Sequence, residues 1–342
     1  MFETSPERFE SLSRFLDQAG WAAAETRPLA GDASFRHYHR VRMNGSRAVL
    51  MDAPPEREDV RPFVRLALHL RALGLSAPAI LAADERAGFL LLEDFGDDTF
   101  TRLLASGREE GDLYRLAVEV LIHLHRLPVE RALPAGLPPY DRRRLLGEAL
   151  LLADWYAPAV LGRPLEAPVR EAYESAWGEV LAPVLAAPAT LVLRDFHAEN
   201  LMRLHGRDGL SACGLLDFQD AVAGHPAYDL MSLLEDARRD VTPALKAQML
   251  ARYRDAACPP DWPAFERAFV VLAAQRHAKV IGIFTRLCRR DDKALYLRHV
   301  PRVWRHLEGA LGDPALAPVA RWFEAHLPPE ARRVPAPQAG PA

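Results

Sequence analysis

The hydrophobic spacing along this 342-residue chain changes once, and this change restricts the fold more than any other feature. In the first part, two extended runs, "SFRHYHRVRM" and "SRAVLMDA", flank Asn44-Gly45, a dipeptide typical of a two-residue hairpin turn. "AILAADERAGFLLLEDFG" indicates a second hairpin, and helical spacing occurs at residues 7–20 and 57–73. Residues 1–95 are therefore predicted to form a small α+β lobe around an antiparallel sheet.

The remainder of the chain has mostly helical spacing. Helices are predicted at residues 113–126, 142–161, 168–186, 228–236, 243–256, 263–288 and 293–311. Residues 96–327 are predicted to form a second, larger lobe. The tail at 328–342 is rich in Pro and Ala with little to bury, so it is predicted to be disordered.

Composition excludes several classes of protein. With 49% hydrophobic residues and a formal net charge of −3, the chain has no bulk attraction to nucleic acid or to membrane surfaces. Its three cysteines, Cys213, Cys258 and Cys288, form no CxxC pair, which argues against a disulfide framework or a zinc knuckle. No segment approaches the roughly 18 apolar residues of a membrane span, and the N-terminus lacks the apolar run of a signal peptide. We expect a cytoplasmic protein that recognises its partners at a site; the oligomeric state is left open.

Two apolar strands, "TLVL" and "CGLL", each lead into a turn that carries an acid. Asp195 and Asn200 follow the first strand with the D-x-x-x-x-N spacing of kinase catalytic loops, and Asp217 follows the second in the place of the DFG aspartate. In phosphoryl transfer, one carboxylate orients and deprotonates the attacking hydroxyl, while an amide oxygen and another carboxylate hold Mg²⁺ against the phosphates. The pattern therefore predicts Asp195 as the catalytic residue, with Asn200 and Asp217 as ligands of Mg²⁺ and ATP.

Neighbouring polar residues also have structural interpretations. An aspartate after a strand is often a turn former or a helix cap, and Asp220 is interpreted in this way. His197 is interpreted as a structural member of its loop. Asp229 begins the apolar helix of "YDLMSLL", which favours a capping role.

"LRDFHAENLM" and "LLDFQDAVAGHPAYDL" resemble the aminoglycoside phosphotransferase and choline kinase superfamily. Together with "GDASFRHYHRV", "VLMDAPPE", "LLLEDFGDDTF" and "QRHAKVIGIFTRL", they resemble the anomeric sugar kinases of bacterial cell-wall recycling over most of the chain. The resemblance implies an α+β, bilobal protein-kinase-like fold with a small antiparallel-sheet N-lobe and a larger, mostly helical C-lobe. It also implies that Asp229 braces the catalytic loop from below.

The resemblance places a nucleotide-covering turn at "GDASF", where Ser34, Phe35 and Arg36 would meet the phosphates of ATP. This segment has one glycine, and an ordinary turn is an equally good interpretation. "FLLLEDFG" resembles the last strand of a kinase small lobe running into the hinge. Adenine would then contact backbone groups near Glu93 and Phe95.

One position departs from the kinase pattern. Met51 stands at or near the place of the small-lobe lysine that contacts the α- and β-phosphates, and no lysine precedes Lys246. Two explanations are open. An arginine such as Arg36 or Arg40 supplies the charge, since its fork suits phosphate, or Mg²⁺ and backbone donors suffice.

The acceptor is expected to bind the helical lobe. Candidate contacts for an amino sugar are Tyr140, Asp141, Glu148 and Arg286. Arg286 belongs to a basic strip with Arg276, His277 and Lys279, which either meets an anionic substrate or is a solvated face. Trp155 and Tyr156 are interpreted as core residues.

The sequence thus predicts ATP- and Mg²⁺-dependent phosphorylation of the C1 hydroxyl of N-acetylmuramate, N-acetylglucosamine or both, giving a sugar 1-phosphate for peptidoglycan recycling. Other acceptors, such as an aminoglycoside, choline or homoserine, remain alternatives within the enzyme class. A nucleotide-binding pseudokinase scaffold is the alternative that the missing lysine suggests.

Overall fold

The computed structural model of the protein describes residues 6–29 and 35–336. The chain forms two compact units: residues 1–120 with 198–220, and residues 121–197 with 221–342. The predicted boundary at residue 95 differs from this division, because residues 96–120 and the later segment 198–220 also belong to the first unit. There Thr99 forms a β-bridge to Met202, and Ser76 forms one to Gly214.

The described residues form helices and strands with the following bounds: α1 (Pro6–Gln18), β1 (Glu25–Pro28), β2 (His37–Met43), β3 (Ser46–Asp52), α2 (Arg61–Ala72), β4 (Ile80–Asp84), β5 (Phe89–Glu93), α3 (Phe100–Ala105), α4 (Glu110–Arg126), α5 (Val129–Ala132), α6 (Arg142–Leu151), α7 (Ala157–Leu161), α8 (Ala167–Leu185), β6 (Thr190–Val192), β7 (Leu201–Arg203), β8 (Cys213–Leu215), β9 (Val222–Gly224), α9 (Ala227–Leu234), α10 (Pro243–Ala257), α11 (Trp262–Asp291), α12 (Val300–Leu311) and α13 (Ala317–His326). The predicted helices and both predicted hairpins are present.

The sheet of the first unit is antiparallel, with the strand order β1-β2-β3-β5-β4. Asn44 and Gly45 join β2 to β3 with φ angles of 50° and 78°. Positive φ at both central residues is what a type I′ hairpin turn requires, and asparagine and glycine tolerate it best. The turn fixes the register of the two strands, with Tyr38 opposite Met51 and Arg40 opposite Val49.

The two faces of this sheet have different roles. Val41, Ala48 and Leu50 pack on one face with the apolar side of α1. Because side chains alternate along a strand, Tyr38, Arg40 and Val49 point to the opposite face. That face borders the cavity described below.

Helix α11 is the central element of the second unit. Nineteen of its residues are buried, including Gln275, Arg276, His277 and Lys279. It is long and apolar enough to cross a membrane by length and composition, but 89% of that window is buried inside the protein. A Cβ added at Gly282 would lie 2.3 Å from the carbonyl carbon of Leu151, so only glycine permits this approach. A π-helical turn, Leu152–Tyr156, begins at the same place.

Two short strand pairs present the acid-bearing turns. In the second unit β6 pairs with β9, and in the first unit β7 pairs with β8. The predicted strands "TLVL" and "CGLL" correspond to β6 and β8.

Part of the predicted disordered tail is packed. Tyr156 donates its hydroxyl hydrogen to the carbonyl oxygens of Ala331, at 3.2 Å, and Arg333, at 2.8 Å. The Arg333 guanidinium donates to the Val160 carbonyl at 2.8 Å. Hydrogen bonds to α7 and the turn before it therefore hold residues 331–333, and amino-acid composition alone does not reveal such bonds. Residues 337–342 lie outside the described residues.

Candidate active site

The first unit contains a cavity of about 430 Å³ between its sheet and the β7–β8 hairpin. Its lining combines apolar and polar side chains, as in sites for small molecules. Its lining comprises Leu29, Tyr38, Arg40, Val49, Phe63, Pro78, Leu92, Glu93, Asp94, Phe95, Gly96, Asp97, Thr99, Asn200, Met202, Leu216 and Asp217. The predicted hinge residues and the predicted metal ligands thus border one cavity.

Arg40 is bound at the hinge end of this cavity. Its Nε lies 2.8 Å from Asp94 Oδ2, its Nη1 lies 3.0 Å from Asp97 Oδ1, and its Nη2 donates to the Gly96 carbonyl at 3.0 Å. Two carboxylates therefore neutralise this guanidinium and fix its direction. The role of Arg40 in the structure is to hold the hinge.

The predicted hinge residues Glu93 and Phe95 have different contacts. The Glu93 amide donates to the Ala79 carbonyl at 2.8 Å, and the Glu93 carboxylate forms an ion pair with Arg207. The Phe95 ring lies against Gly214, where an added Cβ would be 2.9 Å from Phe95 Cδ2. Gly214 therefore gives the Phe95 ring its place beside the cavity.

Asn200 and Asp217 lie next to each other. Asn200 Nδ2 donates to Asp217 Oδ2 at 3.3 Å, and Gln219 Nε2 donates to Asp217 Oδ1 at 2.7 Å. Asp217 has a φ angle of 57°, a left-handed conformation that aspartate tolerates better than most residues. The Leu216 amide donates to the Asn200 carbonyl at 3.0 Å and ties the two loops together. A carboxylate and an amide of this kind match the hard oxygen ligands that Mg²⁺ prefers, provided the amide oxygen turns inward.

The other predicted nucleotide contacts lie at the start of β2. Ser34 lies outside the described residues. The Phe35 side chain is 52% exposed, and its amide donates to Glu58 Oε1 at 3.3 Å. Arg36 Nη2 lies 3.0 Å from Glu58 Oε2. Met51 is fully buried in β3.

In the second unit, Asp195 follows β6 with its side chain 35% exposed. Partial burial raises the pKa of this carboxyl, but the positive charges of Arg276 and Lys279 oppose it and hold the pKa at about 2. Asp195 is therefore ionised throughout the physiological range. A carboxylate in this state accepts a hydrogen bond from a hydroxyl well and removes a proton weakly.

The backbone before Asp195 is in an uncommon conformation. Arg194 has a φ angle of 70°, which costs energy for a residue with a side chain. The carboxylate of Asp229 accepts hydrogen bonds from the amides of Leu193, at 2.6 Å, and Arg194, at 2.9 Å. Asp229 is fully buried, and its two hydrogen bonds brace the loop that carries Asp195, as the resemblance implies.

Arg276 contacts the same loop from α11. Its Nη1 donates to the Arg194 carbonyl at 3.0 Å and to the Tyr228 hydroxyl at 3.1 Å, and its Nη2 lies 3.6 Å from Asp195 Oδ1. Its side chain is only 7% exposed. Arg276 and Lys279 are thus buried, and the solvated-face interpretation of these two residues is wrong.

Glu148 is the centre of a buried polar network behind the loop. Its carboxylate contacts Arg194 Nη2 at 2.6 Å and Lys279 Nζ at 2.9 Å, and it accepts hydrogen bonds from Tyr140 and Gln275. Burial raises the pKa of Glu148, but the charges of Lys279 and Arg194 outweigh this effect and lower it. The Glu148 carboxylate pairs with both cations, and these cations also act on the Asp195 carboxylate, so the buried charges are paired.

The structure separates the four predicted acceptor contacts. Tyr140 and Asp141 line a different cavity, of about 320 Å³, in the second unit. Asp141 caps α6, accepting from the Arg144 amide at 2.9 Å, and Glu148 belongs to the network above. Arg286 is half-buried on α11, two helical turns beyond Lys279. Cap and network roles account for Asp141 and Glu148 without a substrate.

Sequence reasoning did not identify the roles of Tyr38, Gln219, Arg276 and Lys279. Arg276 and Lys279 lie three residues apart on one helix, and this spacing also fits an exposed face. Only contacts with distant parts of the chain determine that both side chains are buried. His197 is buried, and burial lowers its pKa to about 4, which agrees with the structural interpretation. Tyr156 is fully buried, as predicted for a core residue.

Residues 25–268 match the phosphotransferase enzyme family. The chain is 36% identical to an N-acetylmuramate/N-acetylglucosamine kinase of Caulobacter vibrioides, covering 96% of this chain and 99% of that protein. It is 38% identical to the kinase of the same name from Pseudomonas aeruginosa, covering 91% and 94%.

Among solved structures, choline kinase LicA from Streptococcus pneumoniae has a TM-score of 0.63 at 14% identity and covers 90% of this chain and 100% of its own. The ADP-bound aminoglycoside phosphotransferase APH(2'')-Ib has a TM-score of 0.56 at 18% identity, covering 90% and 99%. These comparisons confirm the predicted superfamily, fold class and enzyme class. The chain belongs to the phosphotransferase enzyme family.

Proposed function

We propose that the protein transfers the γ-phosphoryl group of ATP to the C1 hydroxyl of N-acetylmuramate, N-acetylglucosamine or both, and releases the sugar 1-phosphate for peptidoglycan recycling. The observation that carries this proposal is the ionised, partly exposed Asp195 carboxylate, which Arg276 and Asp229 hold after β6. The names of two relatives above 35% identity, which cover nearly the whole chain, support the choice of sugar.

In this proposal Asp195 orients the anomeric hydroxyl and accepts its proton as the bond from sugar oxygen to phosphorus forms and the bond to ADP breaks. With a pKa of about 2, Asp195 takes up the proton late, so its main contribution is orientation. Adenine would lie in the first-unit cavity beside the hinge, against Phe95 and Val49. Asn200 and Asp217 would hold Mg²⁺, whose charge would offset that of the phosphates.

The test is the product formed from ATP and each sugar. We expect a mass increase of one phosphoryl group with N-acetylmuramate, and a phosphorus resonance coupled to the anomeric proton. Phosphorus coupled to any other sugar proton would contradict the C1 assignment. A parallel panel of choline, homoserine and an aminoglycoside should consume no ATP.

A second candidate function is a nucleotide-binding scaffold, which the burial of Met51 at the lysine position favours. Nucleotide binding without transfer to any acceptor of the panel would support it.

A cytoplasmic location agrees with the need for ATP and with the free thiols of Cys213, Cys258 and Cys288.

A further inference from the structure

We propose that Arg36, held by Glu58, is the cation that binds the phosphates of ATP in place of the absent lysine on β3. The inference deepens the proposed function, because it rests on the use of ATP but not on the identity of the acceptor. It concerns the first unit alone.

Met51 leaves the cavity-facing side of β3 without the positive charge that a lysine would supply. Met51 lies two residues beyond Val49 on β3, so both side chains point to the same face of the sheet, and Val49 lines the cavity. The side chain of Met51 carries no charge, and residues 1–245 contain no lysine. A cation for the phosphates must therefore reach this face from a neighbouring strand.

Arg36 is placed to do so. Met51 is directly opposite Tyr38 in the β2–β3 register, and Tyr38 lines the cavity. Arg36 precedes Tyr38 by two residues, and its guanidinium interacts with the Tyr38 phenol. A diagonal neighbour across two strands lies about 7–8 Å away, within the reach of an arginine side chain.

The distance from the hinge agrees with a phosphate role. Arg40 is fixed at the hinge by Asp94 and Asp97. Arg36 comes four residues before Arg40 in the chain, which corresponds to roughly 13 Å of extended strand. A nucleotide whose base lay at the hinge would reach Arg36 if its phosphates extended along β2 over this distance.

Glu58 supplies the second half of the arrangement. Its Oε2 lies 3.0 Å from Arg36 Nη2, and the two side chains are only 16% and 10% exposed. Its Oε1 also accepts from the Phe35 amide at 3.3 Å. Kinases use a glutamate in the same way, to hold the phosphate-binding lysine. Phosphate oxygens would share the five-donor guanidinium fork with Glu58 and Tyr38.

The test measures the affinities of four variants for ATP, ADP and adenosine, which differ in their number of phosphates. Arg36→Gln removes the charge but keeps a hydrogen-bond donor, so the hydrogen bond to Glu58 can still form. We expect its affinity for ATP and ADP to fall about 10- to 100-fold, while its affinity for adenosine stays at the parent value. Adding Met51→Lys to Arg36→Gln should recover part of the ATP affinity, because it places an ammonium beside Tyr38 on the face of the sheet that borders the cavity.

Arg42→Met is the matched control, since it removes an exposed arginine from the same strand and should change neither affinity. Glu58→Gln should weaken ATP binding less than Arg36→Gln. Thermal unfolding of each variant verifies folding. The proposal is overturned if folded Arg36→Gln keeps the parent ratio of ATP to adenosine affinity. Because the titrations contain no sugar, a wrong acceptor assignment leaves their result unaffected.

Discussion

Arg276 Nη2 lies 3.6 Å from Asp195 Oδ1, and the same guanidinium donates from Nη1 to the carbonyl oxygen of Arg194 at 3.0 Å. One side chain therefore lowers the pKa of the Asp195 carboxyl and holds the peptide before it, where Arg194 has a φ angle of 70°. Arg276 is in this sense a positioning residue.

Arg276→Gln should lower kcat at least about tenfold, since the orientation of Asp195 is lost. It should also change the pH dependence. In the parent, the pKa of Asp195 is about 2, so protonation of Asp195 does not reduce kcat above about pH 3. Removal of the nearest positive charge raises this pKa, so kcat should begin to fall at a higher pH as the solution is acidified.

The measurement is kcat between pH 4 and 8. Arg267→Gln, at an exposed position of the same helix, is the control and should match the parent. An Arg276→Gln profile that is lower than the parent's by the same factor at every pH from 4 to 8 would limit Arg276 to a structural role.

Asp195→Asn and Asp217→Asn should have different kinetic signatures. Asp195 belongs to the second unit and does not line the first-unit cavity, so its variant should lose turnover by orders of magnitude with nearly unchanged nucleotide affinity. Asp217→Asn should lower activity and raise the Mg²⁺ concentration needed for half-maximal rate. Asp220→Asn, at an exposed neighbouring position, serves as the control. Unchanged Mg²⁺ dependence in Asp217→Asn would argue that Asp217 is only a turn residue.

Asp229→Asn should destabilise the second unit. The two carboxylate oxygens accept from the backbone amides of Leu193 and Arg194, and an asparagine presents one oxygen and one N–H group to the same donors. A buried amide without an acceptor costs about 2 kcal/mol, which corresponds to a Tm decrease of roughly 4–8 °C in a unit of this size. Thermal unfolding checks this, and a Tm within 1 °C of the parent contradicts it.

Two glycines on helices of the second unit should respond oppositely to alanine. At Gly282 the new Cβ would meet the Leu151 backbone at 2.3 Å, so Gly282→Ala should cost about 1–3 kcal/mol of folding free energy. At Gly309, on α12, no atom lies within 4 Å of the added Cβ. Gly309→Ala should stabilise by about 0.5–1 kcal/mol, because alanine favours the helix. Denaturant unfolding compares the two, and equal effects would refute the close packing at Leu151.

Local patterns were enough to predict much of this molecule. The Asn44-Gly45 turn, the alternation along β2 and β3 and the helical spacing are short-range features, and each corresponds to an observed element. The position of Asp195 after β6 and the contact of Asn200 with Asp217 could be anticipated, because an apolar strand before each turn is visible in the sequence.

The prediction failed where partners are far apart in the chain. Arg276 contacts Arg194 across 82 residues, and Lys279 contacts Glu148 across 131. No periodicity reveals such pairs, so the basic residues of α11 resembled a surface strip and Glu148 resembled a substrate contact. The packed stretch before residue 337 was missed for the same reason, because Tyr156 binds it across more than 170 residues.

The presence of methionine at position 51 has a practical consequence for chemical proteomics. Acyl-phosphate analogues of ATP label kinases by acylating an amine beside the nucleotide phosphates. The first unit, residues 1–120 and 198–220, has no lysine to receive the acyl group. A survey based on lysine labelling would therefore record no labelled residue in the first unit, even if the analogue bound its cavity tightly.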